Sequence, residues 1–142
     1  MRTFKHWIIV PATLAMILLG ASGVRSQPIQ LSPGFRPDPL QVSGTSGGSQ
    51  INKGCGTVGA TPNHVINLSA NFSYLRFRVQ SSGQPTLLIQ GPNGNSCVQA
   101  DSLSGGTVEA PGYWEKGIYS IYVGDRTGGQ HSYTLSVTQT RN

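Results

Sequence analysis

The stretch SYLRFRV (residues 73–79) alternates apolar and polar side chains, and this alternation decides the fold class. Leu75, Phe77 and Val79 face one way in an extended chain, whereas the residues between them face the other way. From residue 51 onward, no window of about 12 residues keeps the apolar spacing of an amphipathic helix. The pattern therefore predicts β-strands with one buried face.

Neighbouring stretches repeat the pattern. GIYSIYV (117–123) and HSYTLSVTQ (131–139) alternate in the same way, and PTLLIQ (85–90) is nearly all apolar, which is typical of a strand buried on both faces. Turn-forming sequences rich in Gly, Asn and Pro separate these runs. Together they predict about six or seven strands in an antiparallel sandwich or barrel.

The N-terminus has the order of a secretory signal peptide, which we assign to residues 1–26. Arg2 and Lys5 precede an apolar run from Trp7 to Leu19, and small residues follow it. We expect cleavage after Ser26, with cleavage after Gly23 as the alternative. An uncleaved membrane anchor is the other interpretation, but the apolar run is about 13 residues and a span needs about 20. The predicted location is secreted or periplasmic.

Residues 27–50 combine four prolines with a Gly/Ser tract. This composition predicts an extended and then flexible leader without packed structure. Leu40 and Val42 are the exceptions, because they could contact the edge of the domain that begins at residue 51.

The charge and the cysteines indicate the class of protein. Removing the signal leaves seven basic and five acidic residues, a net charge of +2, and the basic residues are scattered. We therefore expect no nucleic-acid partner. In an exported protein, Cys55 and Cys97 favour a disulfide over the alternative of two buried thiols. By closing the loop between these residues, the disulfide would stabilise the fold by about 4 kcal/mol in the chain-entropy model.

The order of these features resembles the bacterial pre-peptidase C-terminal domain family, which is related to the collagen-binding β-sandwich modules of collagenases. In particular, it is similar to small exported cyanobacterial members. The following motifs carry the resemblance: Pro85-Thr86-Leu87, Gly91-Pro92-Asn93-Gly94, Gly117-Ile118-Tyr119, Val123-Gly124 and Tyr133-Thr134-Leu135.

The resemblance covers about residues 51–140 and implies an all-β fold. The expected architecture is a single antiparallel, jelly-roll-like β-sandwich of about six to eight strands over residues 51–142. The resemblance also implies an accessory role, usually attached to a secreted peptidase or another exported enzyme. No such enzyme domain occurs in these 142 residues.

Two motifs have the spacing of chemical sites but not their context. Residues 44–48 fit G-x-S-x-G, yet a nucleophile elbow needs a strand before the serine and a helix after it. Residues 54–59 fit G-x-G-x-x-G, yet no helix is predicted to follow. His64 and His131 have no predicted nucleophile beside them. We predict that the chain is not an enzyme, with a hydrolase of unrecognised site as an alternative.

Tyrosine and arginine side chains give the first candidate binding surface. Tyr74, Arg76 and Arg78 lie on the outward face of one predicted strand, and Tyr122 lies on that of another. If the strands are neighbours, these four form a patch of residue types enriched at binding hot spots.

Tyr113 and Trp114 give a second candidate, since they follow a Pro-Gly turn. They are either a plug at the end of the core or a stacking platform for sugar or peptide.

No cofactor is expected, and calcium is the one metal kept open. Some relatives in the resembled family bind calcium through clustered acids near the domain start, but residues 51–62 contain no acid. Asp101 is the remaining candidate ligand, although calcium takes six to eight oxygens.

These observations predict a secreted, non-catalytic binding or accessory module that recognises an extracellular or cell-envelope protein or polysaccharide. We expect a monomer without stable membrane insertion after cleavage. A structural envelope component without a discrete ligand is the main alternative.

Overall fold

The computed structural model of the chain describes residues 27–101 and 103–142, so the predicted signal peptide lies outside the described residues. The described part contains eleven β-strands and no helix. The strands are β1 (Ile29–Leu31), β2 (Leu40–Thr45), β3 (Gln50–Asn52), β4 (Gly56–Val58), β5 (His64–Leu68), β6 (Phe72–Ser81), β7 (Pro85–Gly91), β8 (Gly94–Gln99), β9 (Thr107–Trp114), β10 (Gly117–Asp125) and β11 (Ser132–Thr138).

The strands form two sheets. The four-stranded sheet has the order β2-β11-β6-β9 and is antiparallel throughout. The seven-stranded sheet has the order β1-β5-β10-β4-β3, and β7 joins it by pairing with both β10 and β8. One pair in this sheet, β1 with β5, is parallel. The predicted all-β sandwich is confirmed, with more strands than expected and this one departure from antiparallel pairing.

The core consists of the inward faces that the alternation predicts. Leu75, Phe77 and Val79 of β6 are fully buried, as are Leu135 and Val137 of β11 opposite them. In β7, the five residues from Pro85 to Ile89 are all buried, which confirms the prediction of burial on both faces. The apolar face of the four-stranded sheet packs against the apolar face of the seven-stranded sheet. This packing removes the side chains from water and holds the two sheets together.

The predicted flexible leader, residues 27–50, is wrong. Three strands begin in this segment, with β1 pairing along β5 and β2 pairing along β11 from Leu40 to Thr45. Pro and Gly/Ser content measures only local preference, and here cross-strand hydrogen bonds to existing strands override it. Leu40 and Val42 pack against the core as expected. The domain therefore begins before residue 51.

The predicted disulfide is present and joins Cys55 to Cys97, whose Cα atoms are 5.9 Å apart. Cys55 lies in the β3–β4 loop and is fully buried, and Cys97 lies on the edge strand β8. The Thr86 hydroxyl also donates a hydrogen bond to the Cys55 carbonyl over 2.7 Å. The disulfide and this hydrogen bond fasten the loop onto the outer face of the seven-stranded sheet.

Removing the disulfide should lower the free energy of unfolding. For a Cys55→Ser/Cys97→Ser double variant, the 42-residue separation gives an expected loss of about 4 kcal/mol. Urea denaturation with and without reductant measures this loss. Reductant should bring the wild type to the stability of the variant and leave the variant unchanged; a variant as stable as the oxidised wild type would contradict the prediction.

Candidate functional site

The predicted Tyr/Arg patch does not form as one surface. Tyr74, Arg76 and Arg78 lie on β6 of the four-stranded sheet, whereas Tyr122 lies on β10 of the other sheet. The neighbours of β6 are β11 and β9, so the condition on which the patch depended is not met. The side chains of Tyr74 and Tyr122 are therefore on opposite sides of the sandwich.

The three β6 residues of that prediction do share a surface. Tyr74 is half-buried, and the guanidinium carbon of Arg141 lies 4.6 Å from the centre of its ring. This cation–π contact occupies the ring. Arg76 and Arg78, in contrast, lie among the outward residues of β11 and β2.

We call this outward surface the polar trough. Its members all carry groups that form hydrogen bonds, and neighbouring depressions in the surface share lining residues along it. They are Gln41, Ser43, Thr45, Arg76, Arg78, Gln80, Ser132, Thr134, Ser136 and Thr138.

Strand register arranges the trough in rows that cross the sheet. In one row, Ser136 lies between Gln41 on β2 and Arg78 on β6. In the next row, Thr134 lies between Ser43 and Gln80. Adjacent strands are about 4.8 Å apart, so each row presents three hydrogen-bonding side chains over about 10 Å.

The prediction from sequence found only part of the trough. Alternation in residues 131–139 placed the β11 members on one face, and alternation in β6 placed the arginines. The β2 members were missed because residues 27–50 were predicted to be flexible. The alternation of apolar Leu40 and Val42 with polar residues between and after them was the signal that could have located β2.

Tyr113 and Trp114 have different surroundings, because consecutive residues of β9 face opposite sides of the sheet. Trp114 packs against the core, with its ring centroid 4.7 Å from that of Phe77 and 5.5 Å from that of Tyr119. Its indole N–H donates to the Leu75 carbonyl over 3.0 Å. Trp114 therefore plugs the core, while Tyr113 is 58% exposed.

A cavity of about 310 Å³ lies beside Tyr113, between the β7–β8 hairpin and the β9–β10 turn. Ile89 and Tyr119 line it from the core side. At its rim, the Asn93 side-chain amide donates to the Glu115 carboxylate over 2.8 Å. The cavity combines aromatic and polar groups, so a stacking role for Tyr113 stays a prediction.

Asp101 lies in the loop after β8, and its carboxylate accepts the backbone N–H of Leu103 over 2.9 Å. In the part of the chain that the structure describes, no three His, Cys, Asp or Glu side chains are grouped so that they could hold a metal ion. Asp101 is therefore not part of such a group there, and calcium binding stays an expectation.

His131 and Asp125 form a pair that the sequence could not place. His131 Nδ1 is 2.9 Å from Asp125 Oδ2, and Asp125 is fully buried. The other carboxylate oxygen of Asp125 accepts the backbone N–H and the hydroxyl of Thr127. Burial favours the protonated carboxyl, but the bonds from Thr127 and His131 outweigh it and hold the Asp125 pKa below its ordinary value.

This pair lacks the third member of a triad among residues 27–101 and 103–142. Ser46, the serine of the G-x-S-x-G match, is buried, and its hydroxyl accepts the backbone N–H of His131 over 3.1 Å. The strand β2 precedes Ser46, but β3 follows instead of a helix. Ser46 therefore fastens the β2 end to the β10–β11 loop and does not sit in a nucleophile elbow.

His64 has a structural partner as well. Its Nε2 atom is 2.7 Å from the Tyr133 hydroxyl. Burial lowers the pKa of His64 and raises the pKa of Tyr133 to about 12, so both groups are neutral near pH 7. A Cβ atom at Gly44 would lie 2.4 Å from the Tyr133 hydroxyl, which explains the glycine at this position of β2.

Stability should fall in acid through Asp125. Because its folded pKa is below the ordinary value of 3.8, the carboxylate stabilises the fold above that pH and loses this contribution as pH falls towards the folded pKa. Asp125→Asn should cost about 1–3 kcal/mol at pH 7 and flatten the dependence below pH 4.

Urea unfolding at pH 7, 5 and 3 measures this effect. Asp101→Asn is the matched control, since Asp101 is exposed, and it should change neither the stability at pH 7 nor the acid dependence. An Asp125→Asn variant that keeps the full acid dependence of the wild type would contradict the assignment.

In the described ranges, no helix is long and apolar enough to cross a membrane. No protein-family model matches the chain. The chain has the same fold as the crystal structure of the pre-peptidase C-terminal domain of a collagenase from Bacillus anthracis, with a TM-score of 0.53 and 16% identity over 80% of this chain and 97% of that one. The fold implied by the resemblance is thereby confirmed.

Sequence comparison adds a nearer relative. An uncharacterised protein of Synechococcus elongatus is 36% identical over 139 residues, which cover 95% of this chain and 96% of that protein. The chain therefore belongs to one family with this Synechococcus elongatus protein and folds as a pre-peptidase C-terminal-like β-sandwich.

Proposed function

We propose that this chain is an exported, non-catalytic binding module that attaches to a polymer or protein of the cell envelope or extracellular space through the polar trough. The trough carries the proposal, because it is a continuous surface of hydrogen-bonding side chains at the centre of a rigid sheet. Side chains on such a scaffold are held in place before a ligand arrives, which lowers the entropic cost of binding.

The chemistry of the trough suits a hydrated ligand. Its hydroxyl and amide groups both donate and accept hydrogen bonds, so they can replace water around hydroxyl-rich groups. A ligand of this kind is bound by many polar contacts and bridging waters rather than by a deep apolar pocket.

Export is supported by two features. The disulfide between Cys55 and Cys97 is of a kind that persists in oxidising compartments. The first 26 residues have the order of a signal peptide.

A non-catalytic role is supported by the environment of the histidines. His131 is bonded to buried Asp125, and His64 is bonded to Tyr133. In the described part of the chain, the hydrogen bonds of the two imidazoles go to Asp125 and Tyr133, and none goes to a serine, threonine or cysteine side chain. The shared fold supports an accessory module as well, and we propose that it acts as a monomer with or without calcium.

A single carboxylate placed in the middle of the trough should weaken binding at least about tenfold. Thr134→Glu puts a charged side chain between Ser43 and Gln80, where it would repel acidic ligands and fill the space between the rows. Ser120→Glu is the matched control, since Ser120 is a partly buried residue at the centre of β10, paired with β5 and β7 in the other sheet.

The measurement is retention of purified protein, expressed from the full 142-residue sequence under oxidising conditions, on isolated envelope fractions of the source cell with and without calcium. Wild type and Ser120→Glu should be retained equally, and Thr134→Glu should be retained at least about tenfold less, a loss of about 1.4 kcal/mol. Circular dichroism and thermal unfolding check that both variants fold. Absence of retention above a denatured control would contradict a binding role and favour a structural one. Equal retention of wild type, Ser120→Glu and Thr134→Glu would indicate that the binding site lies outside the trough.

A further inference from the structure

Arg76, at one end of the trough, has a buried donor without a partner. Its Nε atom is inaccessible to water and makes no hydrogen bond to any described residue. Arginine cannot shed its charge in a protein, so the group cannot avoid this cost by losing a proton. An unpaired buried donor costs about 1–3 kcal/mol, and more when it is charged.

Strand register explains why Arg76 is unpaired. The residue opposite it on β9 is Pro111, which has no polar side chain, and the residue opposite it on β11 is Thr138. Arg78, two residues along the same face, is opposite Glu109, and its Nε atom is 3.6 Å from the Glu109 carboxylate. Strand β9 therefore places an acid opposite Arg78 but places a proline opposite Arg76.

The surroundings of Arg76 form a small pocket of donors. The cavity has a volume of about 200 Å³, and Arg78, Ser136, Thr138 and Thr140 line it with Arg76. The Asp38 carboxylate is bonded to this end of the trough and is already engaged, because it accepts the Thr138 hydroxyl and the backbone N–H of Gln139. The described residues thus place two guanidinium groups and the hydroxyl groups of Ser136 and Thr140 around one cavity, while the Thr138 hydroxyl donates to Asp38.

An oxyanion matches this set of donors. Guanidinium groups bind carboxylate, sulfate and phosphate through paired N–H donors, and such charge-assisted bonds are about twice as strong as neutral ones. Because the Arg76 Nε–H is closed to water, the terminal N–H groups of its guanidinium are the donors for this contact. An acidic group in the cavity would neutralise the Arg76 charge, which has no acid opposite it on β9 or β11.

The rest of the trough indicates what carries the acidic group. From this pocket the rows of hydroxyl and amide side chains continue past Thr134 to Thr45, a surface that matches a chain of hydroxyl groups. Among the ten members of the trough there is no aromatic side chain on which a nucleic-acid base could stack.

We propose that the Arg76 pocket binds the acidic group, a uronate carboxylate or a sulfate ester, of an acidic polysaccharide that lies along the polar trough. This inference rests on the proposed function, and it names the class of ligand and the residue that selects it. Arg76 is then the specificity residue, and the hydroxyl rows bind the sugar units on either side.

Affinity electrophoresis and titration calorimetry with defined polymers test the proposal. The probes are polygalacturonate, dextran sulfate, neutral dextran, a single-stranded DNA oligonucleotide and inorganic phosphate, each at low ionic strength. The protein is again expressed from the full-length sequence under oxidising conditions. We expect binding to one of the two acidic polysaccharides, which identifies the acidic group as carboxylate or sulfate.

Two arginine variants and one charge control separate the pocket from general electrostatics. Arg76→Gln should weaken binding at least about tenfold, and Arg76→Lys should recover only part of the loss because a lysine lacks the paired donors. Lys53→Gln removes the same charge from an exposed position in the β3–β4 turn and should change affinity less than about twofold. Thermal unfolding shows whether each variant is folded. Ser136→Ala is a smaller change in the same pocket and should weaken binding about two- to threefold.

The outcomes distinguish the proposal from the proposed function. Equal affinity of wild type and Arg76→Gln for an acidic polysaccharide overturns the pocket. Equal losses for Arg76→Gln and Lys53→Gln also overturn it, because they indicate non-specific attraction. Binding of DNA or of phosphate alone as tight as that of the polymers overturns the polysaccharide assignment. If wild type and Ser120→Glu are retained on envelope fractions while Arg76→Gln is retained equally well, only the pocket fails and the binding role remains.

Discussion

Six consecutive cross-strand pairs join β6 to β11, from Ser81 opposite Tyr133 to Arg76 opposite Thr138. This ladder lies in the middle of the four-stranded sheet, with β2 beyond β11 and β9 beyond β6. Since side chains alternate along a strand, a slip of one residue would move every apolar side chain of β6 to the solvent. Burial of Leu75, Phe77 and Val79 therefore fixes the register, and the register fixes what the outer face presents.

The outer face of this sheet is a consequence of the core. Once the inward residues are buried, the residues between them must project outward in rows, and their identity decides the chemistry of the surface. Among the described residues, the arginine opposite Glu109 has an acidic partner, whereas the arginine opposite Pro111 has none. Arg78 and Arg76 thus differ although they lie in adjacent rows. Arg78 forms a surface ion pair, which contributes little stability, whereas the Nε atom of Arg76 is removed from water and has no partner among the described residues.

The polar pairs inside the fold have a different role from the trough. His64 with Tyr133 connects strands 69 residues apart in sequence, and His131 with Asp125 closes the β10–β11 loop; each pair is enclosed by close packing of glycine backbone. A Cβ atom at Gly83, for example, would lie 2.3 Å from His131 Nδ1. These pairs carry the titratable side chains that would otherwise suggest catalysis, and their geometry indicates that they hold the sandwich together.

The amino-acid sequence by itself determined the fold class, the residues that face the core and the disulfide partners. Those features follow from alternation along single strands and from a cysteine count of two, both of which are local or combinatorial properties. Tertiary structure decided which strands are neighbours, and this overturned the Tyr74/Tyr122 patch and the flexible leader. Strand pairing is a non-local choice made by the shared core, so β2 became ordered along β11 despite its unfavourable composition. For the same reason only the folded sheet could reveal that Glu109 lies beside Arg78 and that Thr138 and Pro111, neither of them an acid, lie beside Arg76.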